Sequence, residues 1–317
     1  MFIVNPNSQG GRTEKNWKKY KKIIDNQFSH PWDFKIADSI GSGMKLSEEA
    51  VKDGYTTIVG IGGEGTINEV INGAYPVNPA TKFGFIRSGT SNDFLSDRVY
   101  QWPKSVEAQL RVIERGHYWK APLTKVDADY TRYSLNLADT GISAMVSYQS
   151  SVERRLNWIK GGLRYYILAL LNVYRWSNIP AEVIINDQQF NGDLTMLVAG
   201  FSKQLGDYLT LPQASLYGEN MAYLIVRNFS RLKILKLMTK VKKGKHSDAI
   251  EGIDMGFTNQ IEIKADQPPL FEVDGEPFST DSTHITITAM PKSIPIIAHD
   301  NIPGNEQLEI IPKIRST

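Results

Sequence analysis

The chain has no cysteine in its 317 residues. That absence removes disulfide frameworks, zinc–cysteine sites and thiol nucleophiles together. Histidine is scarce as well. The five (His30, His117, His246, His284 and His299) are scattered and show no H-E-x-x-H spacing, so a histidine-built metal centre is not expected. Neither sign of charge dominates: 36 basic against 34 acidic residues leave a formal net charge of +2. So even a balance argues against a dedicated nucleic-acid binder. No long hydrophobic run occurs either. The most apolar stretch, Tyr165 to Leu171, is far below the roughly 20 residues that span a bilayer. Met1 to Pro6 has neither the basic start nor the apolar length of a signal peptide. A soluble cytoplasmic protein is expected. The P-loop pattern G-x-x-x-x-G-K-[ST], the protein-kinase H-R-D and the hydrolase G-x-S-x-G are missing too.

What is present is a globular composition, with 41% hydrophobic and 10% aromatic residues, which sets disorder aside. Through the first 120 or so residues, short apolar runs alternate with helical patterns. Phe2 to Val4, Phe34 to Ile36, Thr57 to Ile61 and Lys82 to Ile86 read as strands. Lys15 to Phe28 places Trp17, Tyr20, Ile24 and Phe28 on one helical face, and Lys45 to Lys52, Ile67 to Tyr75 and Ser105 to Arg115 also read as helices. Such alternation predicts a parallel sheet covered on both faces.

Beyond Pro122 the texture turns β-rich. Strand-like runs are Tyr133 to Ala138, Ala181 to Ile185, Leu194 to Ala199, Ala222 to Val226, Gln260 to Lys264, Leu270 to Val273 and His284 to Ala289. Asn186-Asp187 and Asp274-Gly275 are hairpin signals. Helical patterns interrupt at Ile142 to Trp176, broken near Gly161-Gly162, and at Arg231 to Val241. The expected organisation is an α/β domain over 1–123, a β-rich domain over 124–290, and a tail, 291–317, that returns to the first domain.

The informative segment is Thr57-Thr-Ile-Val-Gly-Ile-Gly-Gly-Glu-Gly-Thr-Ile-Asn-Glu-Val70. A buried strand runs into glycines and then a helix. Glycines let backbone N–H groups approach phosphate oxygens, and a helix N-terminus adds partial positive charge. Gly60, Gly62 and Gly65 formally satisfy G-x-G-x-x-G, yet no acid for an NAD ribose lies between Glu69 and Asp93. Arg87, at the end of the next apolar run, suits the 2′-phosphate of NADP, so an NADP-dependent reductase is one alternative. A glycine-rich turn that binds nothing is another.

Gly62-Gly-Glu-Gly-Thr-Ile-Asn-Glu-Val70 resembles the G-G-D-G-T-x-N-E-V signature of the diacylglycerol kinase family, which includes bacterial lipid kinases and sphingosine kinases. Further segments follow in the family's order. Asn5-Pro-Asn-Ser-Gln-Gly-Gly11 is similar to its N-P-x-S-G start, Gly89-Thr-Ser-Asn-Asp-Phe94 to its G-T-x-N-D-F loop, and Val273-Asp-Gly-Glu276 to its late D-G-E turn. Lys125-Val-Asp127, Asn136 and Gly141 also fit. The resemblance implies an N-terminal three-layer α/β domain similar to phosphofructokinase and NAD kinase, plus a C-terminal β-sandwich. It implies transfer of the ATP γ-phosphoryl group to a lipid hydroxyl, most plausibly that of diacylglycerol to give phosphatidic acid. A soluble NAD-kinase-like enzyme and a catalytically weak nucleotide-binding relative are the alternatives within the superfold.

Residue by residue, the resemblance assigns Asn5, Ser8, Gly10, Gly62, Gly63, Glu64, Gly65, Thr66, Asn68 and Thr90 to the nucleotide phosphates. Glu64, Asp93 and Asp127 fall to a magnesium–water network, Glu276 to the general base and Asp274 to substrate orientation or support of the metal. Judged alone, Asp274-Gly275 is an ordinary type I′ hairpin turn, and Asp93 an ordinary helix cap.

Three departures stand out. Glu64 replaces the family's Asp and shifts its carboxylate by one methylene; Arg87 replaces a Pro; Tyr217 replaces the acid before Gly218, which counts against a second, structural metal site. On the lipid side, Arg154, Arg155, Lys160 and Arg164 flank an apolar helical pattern with Trp158, Tyr165, Tyr166, Leu168, Leu171 and Trp176, and Lys240, Lys242, Lys243 and Lys245 form a second basic run. Basic residues beside aromatics suit peripheral contact with an anionic membrane surface. No nucleic-acid partner is expected, and pairing of exposed sheet edges leaves a homodimer open.

Overall fold

The computed structural model describes residues 1–87, 102–152, 162–205, 209–242, 250–299 and 309–310. The chain divides into two compact units, Met1–Ala121 with Lys292–Thr317, and Pro122–Pro291.

The first unit is built from β1 (Phe2–Val4), α1 (Ser8–Gln27), β2 (Phe34–Ile36), α2 (Ser42–Lys52), β3 (Thr57–Gly62), α3 (Glu64–Ala74), β4 (Lys82–Arg87) and α4 (Val106–Arg115). Its strands are parallel in the order β2-β1-β3-β4, with Ile296 of the returning segment beside Phe83. β1, most of β3 and most of β4 are buried, as expected of parallel strands covered on both faces. Chain order places β2 on one side of β1 and β3 on the other. The direction of winding therefore reverses between β1 and β3, the point beyond whose strand ends open α/β sheets place their ligands.

The helices are set by specific side chains. Ser105 caps α4 by accepting the Ala108 N–H, and Gly116 ends it at φ +68°. α2 and α3 cross closely. A Cβ at Gly73 would lie 2.0 Å from the Met44 carbonyl oxygen, so only glycine fits there.

The second unit contains the end of β5 (His117–Asp127), then β6 (Thr131–Ser134), β7 (Leu137–Gly141), α5 (Ile142–Val152), α6 (Gly162–Arg175), β8 (Ile179–Ile185), β9 (Gln188–Gly200), β10 (Gln204–Leu205), β11 (Leu209–Thr210), β12 (Met221–Arg227), α7 (Arg231–Lys242), β13 (Ile253–Thr258), β14 (Gln260–Ala265), β15 (Phe271–Val273), β16 (Glu276–Phe278) and β17 (His284–Ile297). Pairing is antiparallel throughout: β16-β15-β7-β9-β8-β14-β17, with β12 joining β9 to β13. Leu137, Met196, Val198, Leu224 and Val226 of the strands pack with Val173, Trp176, Ile234 and Leu237 of the helical layer.

Two differences from the sequence expectation have physical causes. The single strand expected over Tyr133 to Ala138 is two strands, because the Leu135 and Asn136 N–H groups turn to the Asp274 carboxylate. The strand expected over His284 to Ala289 continues to Ile297. Pro291 and Pro295 hide that extension from β-propensity, since proline offers no ladder donor. Lys292, within that strand, takes φ +50°.

Candidate functional site

Strand β3 carries its chain to Gly62, and α3 starts at Glu64. The N-cap Gly63 has no side chain to satisfy the helix, and no side-chain cap is made. N–H groups of a first turn lack carbonyl partners within their helix, so this end is a donor surface with partial positive charge. A Cβ at Gly63 would meet nothing within 4 Å, so the turn is open on that side. Gly62 is the opposite case. A Cβ there would lie 2.1 Å from Thr66 Oγ1, so glycine is required for Thr66 to fold back over the strand end.

Thr66, buried, accepts a hydrogen bond from Asn5 Nδ2 at 3.0 Å. The Asn5 N–H donates to Ile61 O at 3.0 Å, and Asn5 Oδ1 accepts the Asn7 N–H at 3.0 Å. Asn5 thus ties the turn after β1 to the turn after β3, at the point where the winding reverses. At the start of α1, Gly10 and Gly11 take φ +64° and +84°, with open space where side chains would be. The structure brings Asn5, Ser8, Gly10, Gly62, Gly63, Glu64, Gly65 and Thr66 to the carboxyl ends of two adjacent strands. Asn68 lies one turn further along α3, buried, and its Oδ1 accepts from Asn72 Nδ2 at 3.3 Å. Thr90 and Asp93 lie outside the described residues. Glu64 is half-buried in the first turn of α3.

Two supporting residues carry no signal that sequence reasoning used. Glu69 accepts the Gly41 and Gly43 N–H groups at 2.8 and 2.9 Å, capping α2 from α3. Gln109, fully buried, accepts the Arg87 N–H at 2.8 Å and donates to Pro103 O at 2.8 Å, joining the end of β4 to the approach to α4.

The second unit holds the other candidates. Asp274 and Gly275, at φ +55° and +87°, form the turn between β15 and β16. Asp274 is buried, and its carboxylate accepts from Ser134 Oγ, from the Leu135 N–H at 2.9 Å and from the Asn136 N–H at 2.8 Å. Ser147 Oγ donates to Gly275 O at 3.3 Å. Glu276, the first residue of β16, is exposed. Asp127 ends β5, pairs with Lys125 Nζ at 2.7 Å and accepts from Thr131 Oγ1 at 2.6 Å. That hydrogen bond to Asp127 raises the Lys125 ammonium above the ordinary lysine range. Among the described residues no three His, Asp or Glu side chains gather as a ready metal cage.

Beneath the turn lies a pair that the motifs do not include. Asp139 of β7 stands directly opposite Glu272 of β15, and both are fully buried. Burial pushes the Asp139 carboxyl up to about 7, with Ser143 and Glu272 pulling the other way. An apolar run broken by a single acid on each of two strands was the available sequence signal.

Together these features define a class: an α/β unit with a glycine-built turn at its switch point, and an antiparallel β unit carrying a buried-acid turn. The diacylglycerol kinase catalytic domain matches residues 1–126, and the YegS C-terminal NAD kinase beta sandwich-like domain matches 136–298. The chain belongs to the diacylglycerol kinase family.

A diacylglycerol kinase of Staphylococcus carnosus is 29% identical over 207 residues, 65% of each chain. One of Staphylococcus epidermidis is 28% identical over 240 residues, 75% of this chain and 73% of the relative. The match to the first therefore spans just under two thirds of that relative. Among solved structures, a putative diacylglycerol kinase from Bacillus anthracis superposes with TM-score 0.71 at 20% identity, covering 95% of each chain. A second diacylglycerol kinase from that organism gives 0.66 at 17%, covering 95% of this chain and 97% of the other. These likenesses establish the α/β plus β-sandwich fold.

Proposed function

We propose that this chain transfers the γ-phosphoryl group of ATP to a lipid hydroxyl, with diacylglycerol as acceptor and phosphatidic acid as product. The observation that carries the reading is the double turn locked by the Asn5–Thr66 hydrogen bond at the switch point, in a chain of this family. Phosphoryl transfer is mainly positioning and charge neutralisation. The first-turn N–H groups of α3 and the glycine turn after β1 hold the phosphates, with Thr90 as a further contact. Magnesium takes one or two carboxylates with water and phosphate oxygens, so it needs no ready-made cage. The half-buried Glu64 would hold such an ion, with Asp93 as a further carboxylate, and the ion would supply positive charge to the transferring group.

Glu276 acts as the general base. Its carboxylate takes the proton as the lipid O–H bond breaks, the oxygen bonds to the γ-phosphorus, and ADP departs with the cleaved oxygen. Asp274 holds the turn that presents Glu276. Its oxygens are engaged by Ser134, Leu135 and Asn136, so it orients the site through the backbone.

The lipid must be reached at a surface. Among the described residues no helix is long and apolar enough to cross a membrane. α6 and α7 together contain seven basic and no acidic residues. Leu171, Tyr174 and Leu232 on the same helices are 58, 76 and 72% exposed, and the Arg231 guanidinium lies over the Tyr174 ring. Apolar side chains pointing outward among cations suit peripheral contact with an anionic cytoplasmic leaflet, each cation near the surface contributing about 1 kcal/mol.

The test is labelled phosphate transfer from ATP-Mg to a lipid panel in mixed micelles, wild type beside Glu276→Gln. Transfer to diacylglycerol that drops at least a hundredfold in the variant, with ATP still bound, is the expected result. Transfer surviving in Glu276→Gln would remove the base; ATP binding with no transfer to any lipid would remove the lipid.

A further inference from the structure

One buried side chain holds both the end of β4, where the sequence runs on to Gly89 and Thr90, and the chain at Pro103 that leads into α4. Gln109, near the start of α4, is fully excluded from solvent. Its Oε1 accepts the Arg87 N–H and its Nε2 donates to Pro103 O, both at 2.8 Å. A carbonyl oxygen needs a donor and an amide N–H an acceptor, so these two partners fix the amide in one orientation. The position is not one that packing alone would give to glutamine. Leu110, Val112 and Ile113 of the same helix are buried apolar residues, and a buried amide is costly unless it is hydrogen-bonded. α4 is itself firmly seated on the strand. A Cβ at Gly84 of β4 would lie 3.3 Å from Ile113 Cγ1. Trp102, beside Pro103, is buried as well.

Arg87 stands where the family pattern has proline. A proline fixes its own φ and has no N–H. Arg87 has the wider φ freedom and also the N–H, and that N–H is what Gln109 holds. Arg87 is moreover the register partner of Gly62, the last residue of β3. The point being held therefore adjoins the turn over which Thr66 folds. We infer that the Gln109 amide does the work of the missing proline: it is a positioning residue that fixes the end of β4 beside the phosphate turn, and with it the start of the chain toward Thr90. The inference rests on the phosphoryl-transfer reading above. It requires no contact between Gln109 and a ligand.

The test is a double-mutant cycle on Gln109→Met and Arg87→Pro. It is read by ATP-Mg affinity in titration calorimetry, and by kcat and both KM values in lipid phosphorylation. Methionine is an unbranched side chain of similar length that makes neither hydrogen bond. Gln109→Met alone is expected to weaken ATP-Mg binding and to lower kcat/KM for ATP at least tenfold, with KM for the lipid unchanged. In the Arg87→Pro background the same substitution costs no more than about twofold, because the ring fixes φ and leaves Gln109 no N–H to hold. A glutamine that only stabilised the helix would cost the same in both backgrounds. Equal costs, or wild-type ATP affinity in Gln109→Met, would overturn the inference. Should Gln109→Met fail to fold, the double variant decides: folding regained with ATP affinity within about threefold of Arg87→Pro supports the exchange, and no recovery overturns it. Failure of the lipid reading is separately visible, as wild type that transfers phosphate to no lipid while the affinity pattern across the cycle holds.

Discussion

Replacing Asp139 by asparagine has a consequence for stability that can be worked out from its burial. The carboxyl is fully buried, and its folded-state pKa rises from 3.8 to about 7, chiefly by desolvation. A carboxyl with a raised folded pKa binds more protons when folded than when unfolded between those two values, so stability falls as pH rises through that window. Its contribution is fully present below pH 3.8 and is lost by about pH 7. Three pKa units at about 1.4 kcal/mol each set a ceiling of roughly 4 kcal/mol. The amide introduced by Asp139→Asn cannot ionise. Urea denaturation of both proteins at pH 4.5, 6 and 8 is the assay. The stability of Asp139→Asn relative to wild type is expected to climb with pH by a few kcal/mol. Parallel curves at every pH would refute the buried Asp139 carboxyl as an energetic feature, even if the variant were uniformly more or less stable.

Three further outcomes are expected. Gly62→Ala sets a methyl group 2.1 Å from Thr66 Oγ1, so Thr66 must leave the turn; nucleotide affinity by titration calorimetry should fall at least tenfold while circular dichroism keeps its helical signal. Asp274→Ala strands the Leu135 and Asn136 N–H groups in the interior; at about 1–3 kcal/mol for each unpaired buried group, unfolding free energy should drop by roughly 2–5 kcal/mol, and a drop under 1 would contradict the clamp. Leu171→Asp with Leu232→Asp reverses the outward apolar character of α6 and α7; sedimentation with phosphatidylglycerol vesicles should lose most bound protein, while phosphorylation of a short-chain, water-soluble diacylglycerol stays near wild type.

The first unit was legible because its signals are local. An apolar β-branched run such as 57–61 can only be a buried strand, and the glycines after it mark a turn into a helix whatever lies elsewhere. Element ends were less legible. The strand 284–297 hides behind two prolines, and the break between β6 and β7 depends on a carboxylate more than a hundred residues away in sequence. The cradle residues were named by motif, but the reason they cohere, Asn5 reaching Thr66, belongs to strand order. Glu69 illustrates the limit. It stands inside the signature, yet its carboxylate serves the N-terminus of α2 and not a ligand. Asp139 and Glu272 show singly as acids inside apolar runs, but only register brings them opposite each other.

Asp274-Gly275 shows why an ordinary turn and a functional one need not be rivals. The positive φ angles of both residues are those of a tight type I′ hairpin. Side chains alternate across a strand, and a two-residue turn hands that alternation to the next strand. Asp274, drawn inward by Ser134, Leu135 and Asn136, leaves Glu276 at the first position of β16, facing solvent. The same geometry that satisfies one carboxylate with backbone donors keeps the other exposed. A longer or looser turn would relax both conditions at once. Adding one glycine after Gly275 should therefore abolish transfer as thoroughly as Glu276→Gln, even though every motif residue remains. Retention of more than a tenth of wild-type kcat in that insertion variant would show that turn geometry is not what presents the base.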